Sequence, residues 1–197
     1  MGEHIMGEHI PTRDEAYALL LKYNSNESLI KHALAVEGVM RHFAGLFGED
    51  EEKWGIIGLV HDLDYEKYPE EHCKKVRELL EQENWPESYI RAIQSHGWNI
   101  CCDVEPIERM ENVLYTIDEL TGLIYATVLM RPNKSVMDLE VKSVLKKMKS
   151  KGFAAGVNRE VIHAGAQRLN MDLNQVIEET IKGMRKVSDA IGLKGEV

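Results

Sequence analysis

Between Ile107 and Met130 the chain places Met110, Val113, Leu114, Ile117, Leu120, Ile124 and Val128 at helical spacing, with Asp118 in the middle of that apolar run. Residues three and four apart share one face of an α-helix, so the segment predicts a long helix buried against neighbours. A carboxylate in such a face is costly unless it is paired or metal-bound. Any fold the chain adopts must bring Asp118 a partner. Arg91 is one candidate, and a metal ion held together with histidines is another.

The rest of the chain repeats the helical period. Thr12, with Glu15 three residues on, predicts a helix through Ala16, Leu19, Leu20 and Tyr23, ended by Asn24-Ser25-Asn26. Asn24 with Glu27 predicts a second capping box, opening a helix to about Phe47 that Gly48 stops. Its apolar line runs Leu29, Val36, Val39 and Phe43, and His32 falls on that line, while His42 shares a face with Lys31, Ala35 and Gly38 that reads as solvent-facing. A third helix begins near Glu49-Asp50-Glu51 and runs into His61-Asp62. Further helices are expected from Glu70 to Glu83, from Trp85-Pro86 to Ser95-His96-Gly97, from Val136 to Ser150, from Arg159 to Leu169 and from Asp172 onward. No apolar-polar alternation long enough for a strand interrupts them. The expectation is an all-α fold.

Composition excludes more than it identifies. A net charge of -9 repels nucleic-acid phosphates and anionic membranes, so no duplex partner is expected, and an anionic substrate needs a local cation. The apolar runs are shorter than a membrane span and the start lacks a signal-peptide pattern, which together predict a cytoplasmic protein. Cys73, Cys101 and Cys102 lack C-x-x-C spacing and read as ordinary reduced thiols. The opening MGEHI-MGEHI is a tandem copy that reads as an artefact over residues 1–10, so His4 and His9 are set aside.

His61 and Asp62 are adjacent metal-binding side chains closing the apolar run Trp54 to Val60. Helical neighbours project about 100° apart, so both reach one ion only in a wedge near a helix end. With His32 and Asp118 they form a nitrogen and oxygen donor set suited to Mn, Fe, Co, Ni, Zn or Mg, with positions left open for water and substrate. Gly58 and Gly122 lie one turn from the two aspartates, either to leave space there or to let helices pack closely. Taken alone, His32 also reads as an ordinary core histidine.

The order His32, His61-Asp62, Asp118 resembles the H…HD…D signature of the HD-domain metal-dependent phosphohydrolases, over roughly Asn26 to Met130. The resemblance implies an all-α HD-domain helical bundle, a single domain over about residues 12–190 with its core at about 26–130 and a helical extension at about 131–190. It implies that His32, His61, Asp62 and Asp118 hold a divalent metal ion and that Asp62 helps orient an attacking water. The implied reaction is hydrolysis of a phosphomonoester or phosphodiester, in a nucleotide or small phosphorylated metabolite. The segments Arg131 to Ser135 and Phe153 to Glu160 also resemble a bacterial group of HD hydrolases. Leu63-Asp64 replaces the Ile-Gly of the HDIG type and no Gly-Tyr-Pro element follows, which argues against cyclic-dinucleotide phosphodiesterases. Glu66 is a general-base candidate, and His96 is either a catalytic or second-metal residue or a helix cap. His72 and His163 sit on polar faces and read as surface residues, and the lysines from Lys142 to Lys151 read as a solvated face. Arg131 and Lys134 are the phosphate-clamp candidates. Competing expectations are a non-catalytic HD module that binds a nucleotide or protein partner, and a plain helical scaffold.

Overall fold

The computed structural model describes residues 8–196. His4 lies outside them, while His9 pairs with Glu15 at 2.5 Å. Nine α-helices run through the described residues: α1 (Arg13–Tyr23), α2 (Glu27–Phe47), α3 (Glu51–Val60), α4 (Lys75–Gln82), α5 (Glu87–Ser95), α6 (Arg109–Leu129), α7 (Val141–Lys149), α8 (Arg159–Arg168) and α9 (Leu173–Lys186). A single 3₁₀ turn, Pro69–Glu71, precedes α4, and Trp98 and Cys102 form the only bridge, an isolated one, among the described residues. The fold is all-α. No helix among the described residues is long and apolar enough to cross a membrane.

Local chemistry accounts for most boundaries. Thr12 caps α1 by accepting from Glu15 N, Asp50 caps α3 by accepting from Lys53 N, and Gly48 closes α2 in the left-handed region at φ 69°. The capping box expected at Asn24 is displaced by two residues. Asn26 caps α2, while buried Asn24 spends its amide on the carbonyls of Leu20 and Leu63. The expected helix from Glu70 is also broken, because Cys73 sits at φ 70° and α4 starts only at Lys75.

Helix α2 lies at the centre, packed on α3, α9 and α6, and α6 in turn packs on α5, α7, α8 and α9. One apolar core joins them, from Ala16 through Val36, Ile57, Ile93, Leu120 and Ile177 to Leu193. Both faces of α2 are therefore used. The face carrying Ala35 and Gly38, expected to meet solvent, is covered by α9, and His42 sits there between Glu179 and Lys186 with a side chain only 12% exposed. Small residues allow this approach: a Cβ on Gly183 would stand 2.7 Å from Val39 Cα. That neighbour is backbone and cannot swing aside. Gly58 serves the same purpose between α3 and α2, where a Cβ would meet Val36 O at 3.0 Å, whereas Gly122 would meet only Val157 Cγ2 at 4.0 Å.

Gly183→Ala is therefore expected to destabilise the protein by about 1–3 kcal/mol through overpacking. Gly122→Ala, which gains helix propensity in open space, should be neutral or stabilising by up to about 1 kcal/mol. Urea denaturation of both variants checks the contrast, and equal losses would contradict this packing.

Candidate metal centre

Five segments converge where the N-terminal half of α2, the end of α3, the turn before α4, the end of α5 and the middle of α6 meet. Their polar atoms lie in two groups. His32, His61, Asp62 and Asp118 place donor atoms within 4.8 Å of one another, and so do Asp62, His72 and His96. In the first group, His32 Nε2 is 2.9 Å and His61 Nε2 3.0 Å from Asp118 Oδ1, and the two ring nitrogens are 3.2 Å apart. Asp62 Oδ2 faces the same point, 3.1 Å from His61 Nε2 and 3.4 Å from His32 Nε2. The other oxygen of the same carboxylate, Oδ1, lies 3.2 Å from His96 Nε2 and 3.3 Å from His72 Nε2. Asp62 is shared.

Three of the four imidazoles are held by their far nitrogens. His61 Nδ1 donates to Gly58 O at 2.6 Å, His96 Nδ1 donates to Ile93 O, and His72 Nδ1 donates to Asp64 Oδ1 at 2.6 Å. A carbonyl can only accept, so Nδ1 carries the hydrogen and Nε2 is the atom presented inward. Asp64 is completely buried, and its second oxygen accepts from the backbone of Cys73 at 2.8 Å and Val76 at 2.9 Å. One carboxylate thus fixes the start of α4, the left-handed turn at Cys73 and the orientation of His72.

The carboxylates and imidazoles of the cluster hold each other in their charged forms. Burial opposes charge on His32, but hydrogen bonds to Asp118 and Asp62 outweigh it and raise its pKa to about 9. Burial likewise opposes charge on His72, where hydrogen bonds to Asp62 and Asp64 raise the pKa to about 10. His61 is raised well above the ordinary value against its own burial by the charges of Asp62 and Asp118. Burial would lift the carboxyls of Asp62 and Asp118, yet the histidines, above all the charge of His61, hold both far below the ordinary range. Two anions and several imidazoles around one point fit a divalent cation.

Other expected site residues lie elsewhere. Glu66 accepts from the backbone of Ser25 and Asn26, each at 2.7 Å, and braces the N-terminus of α2 rather than facing the cluster. Arg131 pairs with Asp138 at 3.1 Å and donates to Ser135 O, and Lys134 is exposed at a left-handed turn with φ 49°. Both follow the far end of α6, eleven and more residues past Asp118, roughly 16 Å along the axis. Arg91 pairs with Glu111 and leaves Asp118 to the histidines. His163 is exposed, as expected, and so are Lys142, Lys146, Lys149 and Lys151. His96 belongs to the cluster and caps its helix as well.

His72 and Asp64 were missed. The 3₁₀ break turns His72 inward from a segment whose helical pattern puts it outside. The available signal was a count: His72 and His96 are the only histidines between Asp62 and Asp118. Glu119, beside Asp118, accepts from Asn158 N at 2.9 Å and ties the loop before α8 to the rim of the site, and burial together with the Asp118 charge lifts its carboxyl to about 7.

A family model described as HD domain matches residues 29–127, half of the 197-residue chain, and spans His32, His61, Asp62, His72, His96 and Asp118. No curated protein and no solved structure matches the chain.

Divalent ions must displace protons from histidines whose pKa values lie near 9 and 10, so Mn(II) affinity should rise with pH, by about tenfold per unit for each such histidine. Calorimetry between about pH 6 and pH 9 should show tightening together with proton release; a flat profile would remove the histidines from the site. Asp64→Asn, which loosens the hold on His72, should weaken Mn(II) binding through His72 by about 10–100-fold. Metal titration of the variant checks this, and unchanged affinity would mean that Asp64 serves only the fold.

Proposed function

Because the chain belongs to the HD domain family, we propose that it is a metal-dependent hydrolase of phosphomonoesters or phosphodiesters, acting on a nucleotide or a small phosphorylated metabolite. The observation that carries the proposal is the shared Asp62 carboxylate, one oxygen turned to His32 and His61 and the other to His72 and His96. That is the donor arrangement of a two-ion centre. His32, His61, Asp62 and Asp118 would hold one divalent ion, and Asp62, His72 and His96 a second. Such ions supply Lewis-acid charge for phosphate oxygens and make water nucleophilic near neutral pH.

The residues of the chain do the positioning. The contacts from Gly58 O, Ile93 O and Asp64 hold three imidazoles in one tautomer, so the cluster needs little rearrangement to bind. Asp62 sets the separation of the two halves and lies where a water between them would be oriented. The side chains of His32, Asp62, His72 and Asp118 are 18–24% exposed, whereas that of His61 is fully buried, so the cluster is reached from one side. An anionic substrate must approach a protein of net charge -9, and only cations at this centre would offset that repulsion locally.

A second reading is a module that binds a nucleotide or a partner protein without turnover. It is favoured by the commitment of Glu66, the expected base, to the backbone of Ser25 and Asn26.

Purified protein loaded with Mn(II) or Co(II) is expected to release phosphate or an alcohol from some member of a panel of nucleotides, sugar phosphates and aryl phosphodiesters. His61→Ala and Asp62→Ala should each lower that rate by about a hundredfold or more. Unchanged release in either variant would refute the assignment. Thermal stabilisation by nucleotides with no turnover on any metal would favour the binding module.

A further inference from the structure

The three thiols lie against the His72 and His96 half of the centre, a use that thiol spacing alone does not suggest. Cys73 Sγ is 2.7 Å from Cys101 Sγ and 3.7 Å from His96 Nε2, and Cys73 is the chain neighbour of His72. Cys101 is brought there by a tight knuckle: the backbone N–H groups of Ile100, Cys101 and Cys102 all turn toward Gly97 O, at 3.0, 2.9 and 3.2 Å. Glycine is required at its base, since a Cβ on Gly97 would stand 2.3 Å from Cys101 Sγ and 2.4 Å from Cys73 Sγ. Cys102 also stands beside Cys73 and lines the same cleft, but its thiol donates to Gln94 O at 3.0 Å.

The short sulfur separation discriminates between two uses of such a pair. Two thiolates on one tetrahedral zinc, with Zn–S about 2.3 Å, stand about 3.7 Å apart, whereas a disulfide needs about 2.05 Å. At 2.7 Å the pair is nearer the covalent geometry. The nitrogen donors beside these sulfurs, His72 and His96, turn their Nε2 atoms to Asp62 and are assigned above to the second ion. Access is also graded. Cys73 is buried, while Cys101 lines an open cleft of about 620 Å³ together with His72, Lys74, Asn99 and Ile100.

We propose that Cys73 and Cys101 are a reversible oxidation site for peroxides, and that closing their disulfide weakens ion binding at His72 and His96. The Cys101 sulfur attacks one peroxide oxygen, the O–O bond breaks, and one water leaves as Cys101 becomes a sulfenic acid. The Cys73 sulfur then attacks the Cys101 sulfur, the S–O bond breaks, and a second water leaves with the Cys73 proton. Two thiols lose two electrons and two protons, and one peroxide becomes two waters. Closing the bond draws the Cys73 turn toward the knuckle. His72 moves with it, and metal-ligand distances tolerate only about 0.2 Å.

The consequence for the ion rests on the two-ion reading above, while the disulfide does not. The reduced full-length chain, treated with hydrogen peroxide and digested, should yield a Cys73–Cys101 linked peptide lighter by two hydrogens and restored by dithiothreitol. Cys101→Ser and Cys101→Ala should lose the linkage, and Cys102→Ser should keep it. The oxidised wild type should then bind the weaker of two Mn(II) ions about tenfold less tightly, with recovery on reduction. Absence of the linked peptide, or the same loss of Mn(II) in oxidised Cys101→Ser, would overturn the proposal. A linked peptide from a chain that binds one ion or none even when reduced would refute the two-ion reading and the regulatory consequence, while the oxidation site stands.

Discussion

Everything around the centre answers to the charge on Asp62 and Asp118. Two carboxylates that are largely removed from water on converging helices repel each other and lose hydration, an arrangement that persists only with cations between and beside them. Three imidazoles, from α2, the end of α3 and the turn before α4, provide that compensation. The raised histidines and depressed aspartates are two views of one coupling.

That coupling explains the helix packing. Gly58 lets the end of α3 close on α2, which carries His61 toward His32 while the Gly58 carbonyl accepts the His61 Nδ1 hydrogen. Helix α6 packs on α2, and Asp118 at its middle falls between the two rings. On the far side, Asp64 gathers the start of α4 and the imidazole of His72 onto a single carboxylate. The clustered histidines and aspartates stand where helices start, stop or touch, so their rigidity comes from the packing of the core.

Much of this was legible in one dimension. The helical period along α6 made Asp118 conspicuous, and Thr12, Gly48 and Asp50 marked helix ends by local capping chemistry that does not depend on distant contacts. Where the reading failed, a long-range contact had overridden a local preference. Asn24 would cap α2 in isolation, but the carbonyl of Leu63 and the shift of the cap to Asn26 make it a buried link. Glu66 stands one turn from Asp62 in sequence and faces the other way, toward the amides that open α2. Arg131 and Lys134 follow Asp118 in sequence but lie beyond the far end of α6, half the length of that helix away.

By itself, then, the sequence determined the helical character of the chain and one half of the centre, since His32, His61-Asp62 and Asp118 each stand out against their own segment. Only the tertiary structure decided the other half. A periodic pattern places a side chain on a face of its own helix and carries no information about a helix that breaks. His72 turned inward because buried Asp64 captured two backbone amides, held Cys73 in a left-handed turn and delayed α4. The resulting contacts with Asp62 and His96 join segments separated by ten and twenty-four residues. Such proximity comes from packing the core, which the local period of any one segment does not encode.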